Sequence, residues 1–174
     1  MKQTFRFFML LVLAVVSGQA RAGGEAPYAI SELAVSAFHK IVVNAPIDVV
    51  LVQNDTLKKA YIEGDEDMVP EVSITVSNGV MTIASRRQVS YRGKVQVTIA
   101  VKELTTLEIN ADAGVVSFSP LHSPKIMVDI NGICDLHLKS TGKIFVKAAE
   151  GYDIKYHRHS SERAVIDLSS GSEG

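Results

Sequence analysis

Polar and apolar residues alternate along most of this 174-residue chain. The clearest runs cover residues 47–52, 72–77 and 95–101, where apolar residues occupy every second position. Side chains of a strand point to opposite faces in turn, so this period of two predicts strands with one buried face. Helical spacing does not persist anywhere after residue 38, and only the stretch 26–37 could hold a short turn of helix. The sequence therefore predicts an all-β protein.

Turn residues divide these runs into hairpins. Asn78-Gly79 lies between two alternating segments, and Asn-Gly is the preferred pair for a tight hairpin because both central residues take positive φ. A second turn is predicted at Tyr91–Lys94, just before the run that begins at Val95. These signals predict an N-terminal antiparallel hairpin region, with residues 71–101 forming an antiparallel meander.

A degenerate repeat of about 19 residues organises the C-terminal half of the chain. Its unit is a short alternating strand that ends at a glycine, followed by a second short strand. The first strands are Leu107–Gly114, Ile126–Gly132, Ile144–Gly151 and Ala164–Gly171, and the second strands are 115–118, 133–138 and 152–156. Such a period predicts a right-handed β-helix, or β-solenoid, whose coils share one core and turn at the glycines. A β-sandwich is the alternative, because its strands recur at similar intervals.

The first 22 residues have the pattern of a cleavable secretory signal peptide. Lys2 and Arg6 precede an apolar run over residues 7–16, and Ala20 and Ala22 are small residues at the positions that a signal peptidase reads. The run is shorter than the about 20 apolar residues that a bilayer span needs. We therefore predict cleavage after Ala22.

The predicted segments are a signal peptide over 1–22, a lead segment over 23–35 and a single β domain over 36–170. No later stretch is long enough to cross a bilayer as a helix, so we expect a periplasmic or surface product without a transmembrane anchor. The chain carries 18 Lys and Arg against 19 Asp and Glu, and three of the basic residues lie in the leader. This mildly acidic balance gives no electrostatic reason to bind nucleic acid.

Cys134 is the only cysteine, so no internal disulfide can form and stability must come from core burial. Exported domains of this size usually pair their cysteines. Cys134 alternates with Leu136 and Leu138 between polar neighbours, which favours a small buried apolar residue over a reactive thiol.

No motif of a catalytic or cofactor site is present: there is no Gly-rich phosphate loop, nucleophile elbow, His-Glu-x-x-His or calcium loop. We therefore predict no catalytic, cofactor-binding or metal-binding residues. The candidate partner contacts are Tyr152, Tyr156, His157, Arg158 and His159. The tyrosines could stack on sugars or cap the core. The histidines could lie in a solvated loop, contact an anion or a partner, or bridge a metal.

Charged residues do not single out a catalytic pair. The aspartates are spread over the repeat, at Asp112, Asp129, Asp135, Asp153 and Asp167, and no two stand out as the pair that glycoside cleavage needs. The basic residues around the second turn are Arg86, Arg87, Arg92 and Lys94. We expect them to form a small basic edge that discourages edge-to-edge aggregation.

Three stretches resemble a family of exported bacterial domains of unknown function, called putative auto-transporter adhesin or head GIN domain. Phe38–Val52 resembles the family's opening strand pair, Val76–Ile83 its hairpin, and Val95–Ile109 its step into the stacked coils. With the coils, the resemblance spans about residues 36 to 170. Where members often have Gly-Ser-Gly at the coil corners, this chain has Ala111–Gly114 and Asn131–Cys134. The resemblance implies a β-helical fold and an envelope or surface location, and it supplies no catalytic residues.

The function predicted from these observations is a non-enzymatic envelope module that binds a protein or glycan partner, or that acts as a structural element. The alternative is a carbohydrate-active protein, since enzymes that cleave polysaccharides also use β-helices. That alternative rests on fold analogy alone.

Overall fold

The alternating segments of the sequence form strands. The computed structural model describes residues 27–87, 91–148 and 164–166, the last three by their backbone alone. Within these ranges the protein is all-β, and its one helical element is a 3-10 turn at Val69–Glu71. The strands are β1 (Tyr28–Ala34), β2 (Lys40–Val43), β3 (Asp48–Gln53), β4 (Lys59–Asp65), β5 (Val72–Ser77), β6 (Val80–Ser85), β7 (Val95–Val101), β8 (Thr106–Ile109), β9 (Ala113–Ser117), β10 (Lys125–Ile130), β11 (Cys134–His137), β12 (Lys143–Ala148) and β13 (Ala164–Ile166).

Two sheets of mixed direction contain these strands. Sheet I has the order β1-β4-β7-β3-β9-β11, and sheet II has the order β13-β12-β10-β8-β2-β6-β5. In sheet I, β4 is antiparallel to both β1 and β7, and in sheet II β5 is antiparallel to β6. The other neighbours are parallel. Parallel neighbours need a crossover connection, and from β2 to β12 each crossover passes through the opposite sheet.

From β6 to β12, consecutive strands of the chain alternate between the two sheets, and so do β2 and β3. We call such a pair, one strand in each sheet, a tier; the tiers in spatial order are β6–β7, β2–β3, β8–β9 and β10–β11. The 19-residue repeat accounts for the later tiers. Its first strands, β8, β10, β12 and β13, lie side by side in parallel, and its second strands, β9 and β11, pair in the other sheet.

The core lies between the two sheets. Inward-facing residues of the central tiers, such as Ile41, Leu51, Ile99 and Leu107, are fully buried. Burial of each such side chain stabilises the fold by about 1.5–3 kcal/mol. In β11 and β12 the inward residues are only partly buried. The core is therefore tightest around β2–β3 and β8–β9, and it thins towards β11 and β12.

Local predictions between residues 26 and 101 are confirmed at two turns and wrong in two other places. The turn at Tyr91–Lys94 forms, with the N–H of Lys94 donating to the carbonyl of Tyr91 (3.0 Å). The Asn78-Gly79 hairpin forms, with φ of 51° and 75° at its central residues. The meander does not, because β6 pairs with β2 in sheet II while β7 crosses to sheet I and lies parallel to β3. The stretch 26–37, which could have held a turn of helix, contains β1 instead, paired along its whole length with β4.

At the described glycines of the repeat, neighbouring atoms approach too closely to leave room for a side chain, and positive φ is not the reason for glycine. Neither Gly114 nor Gly132 has positive φ. A Cβ at Gly132 would lie 2.5 Å from the carbonyl oxygen of Ala111 in the neighbouring tier. The turns of successive tiers therefore stack backbone on backbone. Gly151 and Gly171 lie outside the described residues. In the described ranges, no helix is long and apolar enough to cross a membrane.

Candidate functional site on the outer face of sheet I

Four charged side chains converge on the outer face of sheet I, where the tiers enter it. Arg92 donates from Nε to Oδ1 of Asp48 (2.7 Å), from Nη1 to Oδ1 of Asp112 (3.0 Å) and from Nη2 to Oδ2 of Asp135 (2.9 Å). We call these four residues the Arg92 cluster. Its aspartates belong to the three tiers β2–β3, β8–β9 and β10–β11, so one guanidinium connects three successive tiers.

Strand register and one missing side chain make room for this guanidinium. Asp48 of β3 lies opposite Gly114 of β9, which lies opposite Asp135 of β11. A Cβ at Gly114 would lie 2.5 Å from Oδ1 of Asp48 and 3.2 Å from Nη2 of Arg92. The glycine thus leaves a gap in the row of side chains, and Arg92 occupies it between the two carboxylates.

The loop between β6 and β7 delivers Arg92 to this position. Tyr91 is buried, and its backbone N–H donates to the carbonyl of Pro46 (2.8 Å). Gly93 has a φ of 72°, and its N–H donates to Oδ2 of Asp48 (2.7 Å). Both oxygens of Asp48 are therefore bonded to this loop. The Tyr91 hydroxyl is buried without a hydrogen-bond partner among the described residues, at a cost of about 1–3 kcal/mol.

The predicted basic edge is wrong for Arg87 and Arg92, two of its four residues, because both lie beside carboxylates. The hydrogen bond to Asp135, together with Asp48 and Asp112, raises the pKa of Arg92 above its usual range. Partial burial of the guanidinium acts in the opposite direction but is outweighed. Arg92 is thus enclosed by carboxylates, and the cluster has more negative than positive groups. Arg87 also lies beside a carboxylate, with Nη2 3.2 Å from Oε1 of Glu71. The prediction failed because these aspartates are distant in sequence and approach only through strand pairing.

A polar cleft of about 250 Å³ adjoins the cluster. Its polar lining side chains are Tyr28, Asp48, Glu63, Lys94 and Gln96. Glu63 accepts from Nε2 of Gln96 (2.8 Å) and from the Tyr28 hydroxyl (3.0 Å). Carboxylates, an amide, a phenol and an ammonium are groups that bind hydroxyl-rich or charged ligands.

Apolar side chains lie beside the cluster on the same face. Val50 and Val52 of β3 lie next to Val116 of β9 and to Phe118 just beyond it. Phe118 is 77% exposed and Val116 is 40% exposed. We call these four residues the apolar strip. On the far side of the cluster, Ile133 is 72% exposed.

In each tier, a turn connects the strand of sheet II to the strand of sheet I, and we call the stack of these turns the corner. A second polar network lies at the start of these turns, where the tiers leave sheet II. Nδ2 of Asn110 donates to Oδ1 of Asn44 (2.9 Å), and Nδ2 of Asn131 donates to Oδ1 of Asn110 (2.8 Å). We call these three residues the asparagine ladder. Each follows directly on the last residue of a sheet II strand, and Asn110 also donates to Oε1 of Glu108 (2.9 Å). The ladder connects the same three tiers as the Arg92 cluster.

The partner contacts predicted from the sequence, Tyr152, Tyr156, His157, Arg158 and His159, lie outside the described residues, as do Asp153 and Asp167. Across the ranges 27–87 and 91–148, no group of three or more His, Cys, Asp or Glu side chains is placed to hold a metal ion.

The described aspartates of the repeat divide between the two outer faces. Asp129 alternates with buried Val128 and Ile130 in β10, so it points outward from sheet II, while Asp135 points outward from sheet I. These two carboxylates cannot act on one glycosidic bond. Asp112 and Asp135 do come together, through Arg92.

Cys134 is partly buried and packs against the core. Burial, with a smaller contribution from Asp135, raises the pKa of the Cys134 thiol to about 11. The thiol is therefore neutral near pH 7, which fits the apolar role predicted for it.

Sequence reasoning missed both polar networks. The asparagine ladder had a signal: Asn44, Asn110 and Asn131 each follow a β-branched residue at the end of an alternating strand and precede Ala or Gly. The Arg92 cluster had no sequence signal of comparable strength, because Arg92 is outside the repeat.

Comparisons with known proteins agree with the architecture. Residues 37–173 match the family model described as "Putative auto-transporter adhesin, head GIN domain". A comparison with curated proteins found no match. Among solved structures, the chain is similar to a putative adhesin from Parabacteroides merdae, with 20% identity, a TM-score of 0.51, and coverage of 72% of this chain and 59% of that one. It is also similar to a putative adhesin from Bacteroides fragilis, with 16% identity, a TM-score of 0.51, and coverage of 82% and 79%.

These likenesses carry different weight. At such identities the solved structures show a shared fold alone, and the chain spans only 59% of the length of the first of them. The family model covers most of the sequence, including every described strand except β1. The chain therefore belongs to the putative auto-transporter adhesin, head GIN domain family.

Proposed function

We propose that this protein is a non-enzymatic adhesion module of the cell envelope, exported by its first 22 residues, which binds a partner through the outer face of sheet I. The observation that carries the proposal is the apolar strip. Phe118 and Val116 are exposed there next to Val50 and Val52, on a sheet face where alternation would place polar residues. Contiguous exposed apolar surface on a folded domain marks an interaction site.

A rigid support favours binding by this face. The Arg92 cluster holds three strands of sheet I in register from outside, and the buried residues of β3 and β9 hold the same strands from inside. A preformed surface loses less conformational entropy on binding than a mobile loop does. We also propose that the tiers form a β-solenoid, supported by their parallel pairing and by the alternation of β6 to β12 between the two sheets.

The chemistry of the partner follows from the two parts of the face. An exposed phenylalanine between valines suits an apolar protein side chain, since aromatic and aliphatic groups form the centre of protein interfaces. The acidic cluster beside it suits a basic rim on that partner. We therefore favour a protein partner with an apolar centre and flanking lysines or arginines.

A glycan partner, or a polysaccharide-cleaving activity, is the second candidate, and the polar cleft favours it. Glu63 and Asp48 line the cleft together with Gln96 and Tyr28. However, Glu63 is already bonded to Gln96 and Tyr28, and Asp48 to Arg92 and Gly93. A general acid or base must be able to reach its substrate, so these bonds favour binding over cleavage.

The test measures binding of the exported protein to envelope fragments from the cells that produce it. Phe118→Ser should weaken saturable binding by at least about tenfold, as loss of an aromatic interface residue does. The matched control is Leu57→Ser, which removes an exposed leucine from the β3–β4 loop and should leave binding unchanged. N-terminal sequencing of the exported protein should begin at Gly23.

Treatment of the fragments separates the candidates. Protease should abolish binding and periodate should spare it. The reverse result would favour the glycan, and turnover of a polysaccharide that Glu63→Gln removes would establish the enzyme instead. If the fragments show no saturable binding, or if both serine variants weaken it equally, the adhesion proposal is wrong.

A further inference from the structure

The backbone edge of β1 is open on one side. Among the described strands, β1 is the last of sheet I, with β4 on one side only. Its outward-facing side chains Tyr28 and Ile30 are 65% and 64% exposed. Edge strands are usually protected by lysine, proline or a bulge, and Tyr28–Ala34 contains neither residue and pairs with β4 without a bulge.

Hydrogen bonds at the two ends of β1 fix which backbone groups are open. Glu66 N–H donates to the carbonyl of Pro27, and Val35 N–H donates to the carbonyl of Lys58. In an antiparallel pair, hydrogen-bonded and non-hydrogen-bonded residues alternate. Odd-numbered residues of β1 therefore bond to β4, and the N–H and C=O groups of Tyr28, Ile30, Glu32 and Ala34 point away from it.

We propose that β1 pairs with β1 of a second copy of this chain, antiparallel about Ser31, joining two copies of sheet I into one continuous sheet. This register pairs all seven residues of the strand. It sets Tyr28 opposite Ala34 of the second copy and Ile30 opposite Glu32. Because only even-numbered residues have open backbone groups, they form the hydrogen-bonded pairs of the new ladder, with about eight main-chain bonds.

Charge is compatible with this partner. Glu32 is the only charged residue of β1, and it is bridged to Lys59 of β4. In the Ser31-centred register the two copies of Glu32 face isoleucines and not each other, whereas a register centred on Glu32 would oppose like charges. Ala29 and Leu33 face each other on the inner side. The strand is thus complementary to itself about a two-fold axis, as an isologous interface requires.

A cysteine scan tests the register directly. Ser31 would lie opposite its own copy in a non-hydrogen-bonded pair, with Cα atoms about 4.5 Å apart, within disulfide range. In the full exported chain carrying Cys134→Ala, Ser31→Cys should form a disulfide-linked dimer under mild oxidation. The matched control, Ala29→Cys on the same strand and face, lies opposite Leu33 and should not form a disulfide-linked dimer. Ala29→Cys combined with Leu33→Cys should cross-link again.

Sedimentation tests the association without cysteines. The unmodified protein should form dimers that dissociate on dilution. Ile30→Pro, which removes an open N–H of the edge and leaves the bonds to β4 in place, should shift it to monomer, while Ile30→Val, which keeps that N–H, should not. A monomer at all concentrations would overturn the proposal, including the case in which another segment of the chain covers β1. Equal cross-linking of Ser31→Cys and Ala29→Cys would also overturn it, because it would show random collision instead of one register.

Discussion

The Arg92 cluster and the asparagine ladder connect the same three tiers from the two sides of one corner, by different chemistry. The ladder lies where the tiers leave sheet II, and its members occupy equivalent positions, so each amide donates to the next. The cluster lies where the tiers enter sheet I, and its centre is an arginine from a loop that precedes the repeat. One network extends with the repeat, and the other depends on a single residue outside it.

This difference indicates how each side tolerates change. A neutral amide ladder contributes about 1 kcal/mol for each hydrogen bond, and bonds to charged groups contribute about 1.5–3 kcal/mol. Every carboxylate of the cluster depends on the one guanidinium, so its loss leaves three like charges close together. The ladder side has backbone stacked on backbone at Gly132, while the cluster side has movable side chains above Gly114.

The largest expected effect compares these two glycines. At Gly132 an alanine Cβ would meet backbone atoms of Ala111 at 2.5–2.7 Å, which cannot move aside, so Gly132→Ala should cost about 3 kcal/mol. At Gly114 the nearest atoms belong to the side chains of Asp48 and Arg92, so Gly114→Ala should cost about 1 kcal/mol. Urea unfolding measures both. Equal costs would contradict the distinction between a rigid side and an adaptable side of the corner.

Arg92→Ala should have the next largest effect, about 2 kcal/mol of unfolding free energy, because Asp112 and Asp135 lose this ion pair and Asp48 keeps only the bond from the Gly93 N–H. Arg87→Ala is the matched control. It removes one exposed ion pair with Glu71 and should cost less than about 1 kcal/mol. If the two variants lose the same free energy, Arg92 is an ordinary surface residue. Gly114→Ala should also cost less in the Arg92→Ala background than alone, since one of the two contacts is already gone.

The structural features that depend on short spacings along the chain could be predicted from the sequence. Alternation located the strands, Asn78-Gly79 located its hairpin, and the 19-residue repeat located β8, β10, β12 and β13 as one parallel set. These features arise within a few residues or at a fixed period. The path of β7 could not be read in this way, because an alternating strand fits either sheet and only the completed core decides between them.

The Arg92 cluster was out of reach for a related reason. Its aspartates are 44, 20 and 43 residues from Arg92 along the chain, and their meeting depends on the register of three strands and on the missing side chain at Gly114. A one-residue slip would turn every outward side chain inward. The basic residues close to Arg92 in sequence therefore suggested a basic edge, whereas in the folded chain Arg92 is surrounded by carboxylates.

The third prediction distinguishes the two networks by their response to salt. Asn110→Ala removes the central amide of the ladder. Its three hydrogen bonds are exposed, so water replaces much of what is lost and the total cost should be only about 1 kcal/mol, nearly the same at low salt and at 1 M NaCl. The cost of Arg92→Ala should shrink at 1 M NaCl, since the Debye length falls to about 3 Å and exposed ion pairs are screened. Asp135 is 74% exposed at its side chain, so screening reaches the cluster. Parallel salt responses of the two variants would contradict this assignment.

The smallest expected effect is the loss of stability at acid pH that comes from Glu108, on the same side of the corner as the asparagine ladder. Lys40, and less strongly Asn110, hydrogen-bond Glu108 and lower its pKa below the usual 4.5. A lowered carboxyl pKa stabilises the fold above the unfolded pKa, and this stability is lost as the pH falls through the folded value. The stability difference between the unmodified protein and Glu108→Gln should therefore be flat above about pH 5.5 and shrink below pH 4.5, remaining smaller than the effect of Asn110→Ala. Because Lys40 is the larger cause, Lys40→Met should remove more of this pH dependence than Asn110→Ala. The opposite order would show that the ladder amide, and not the ion pair, sets the ionisation of Glu108.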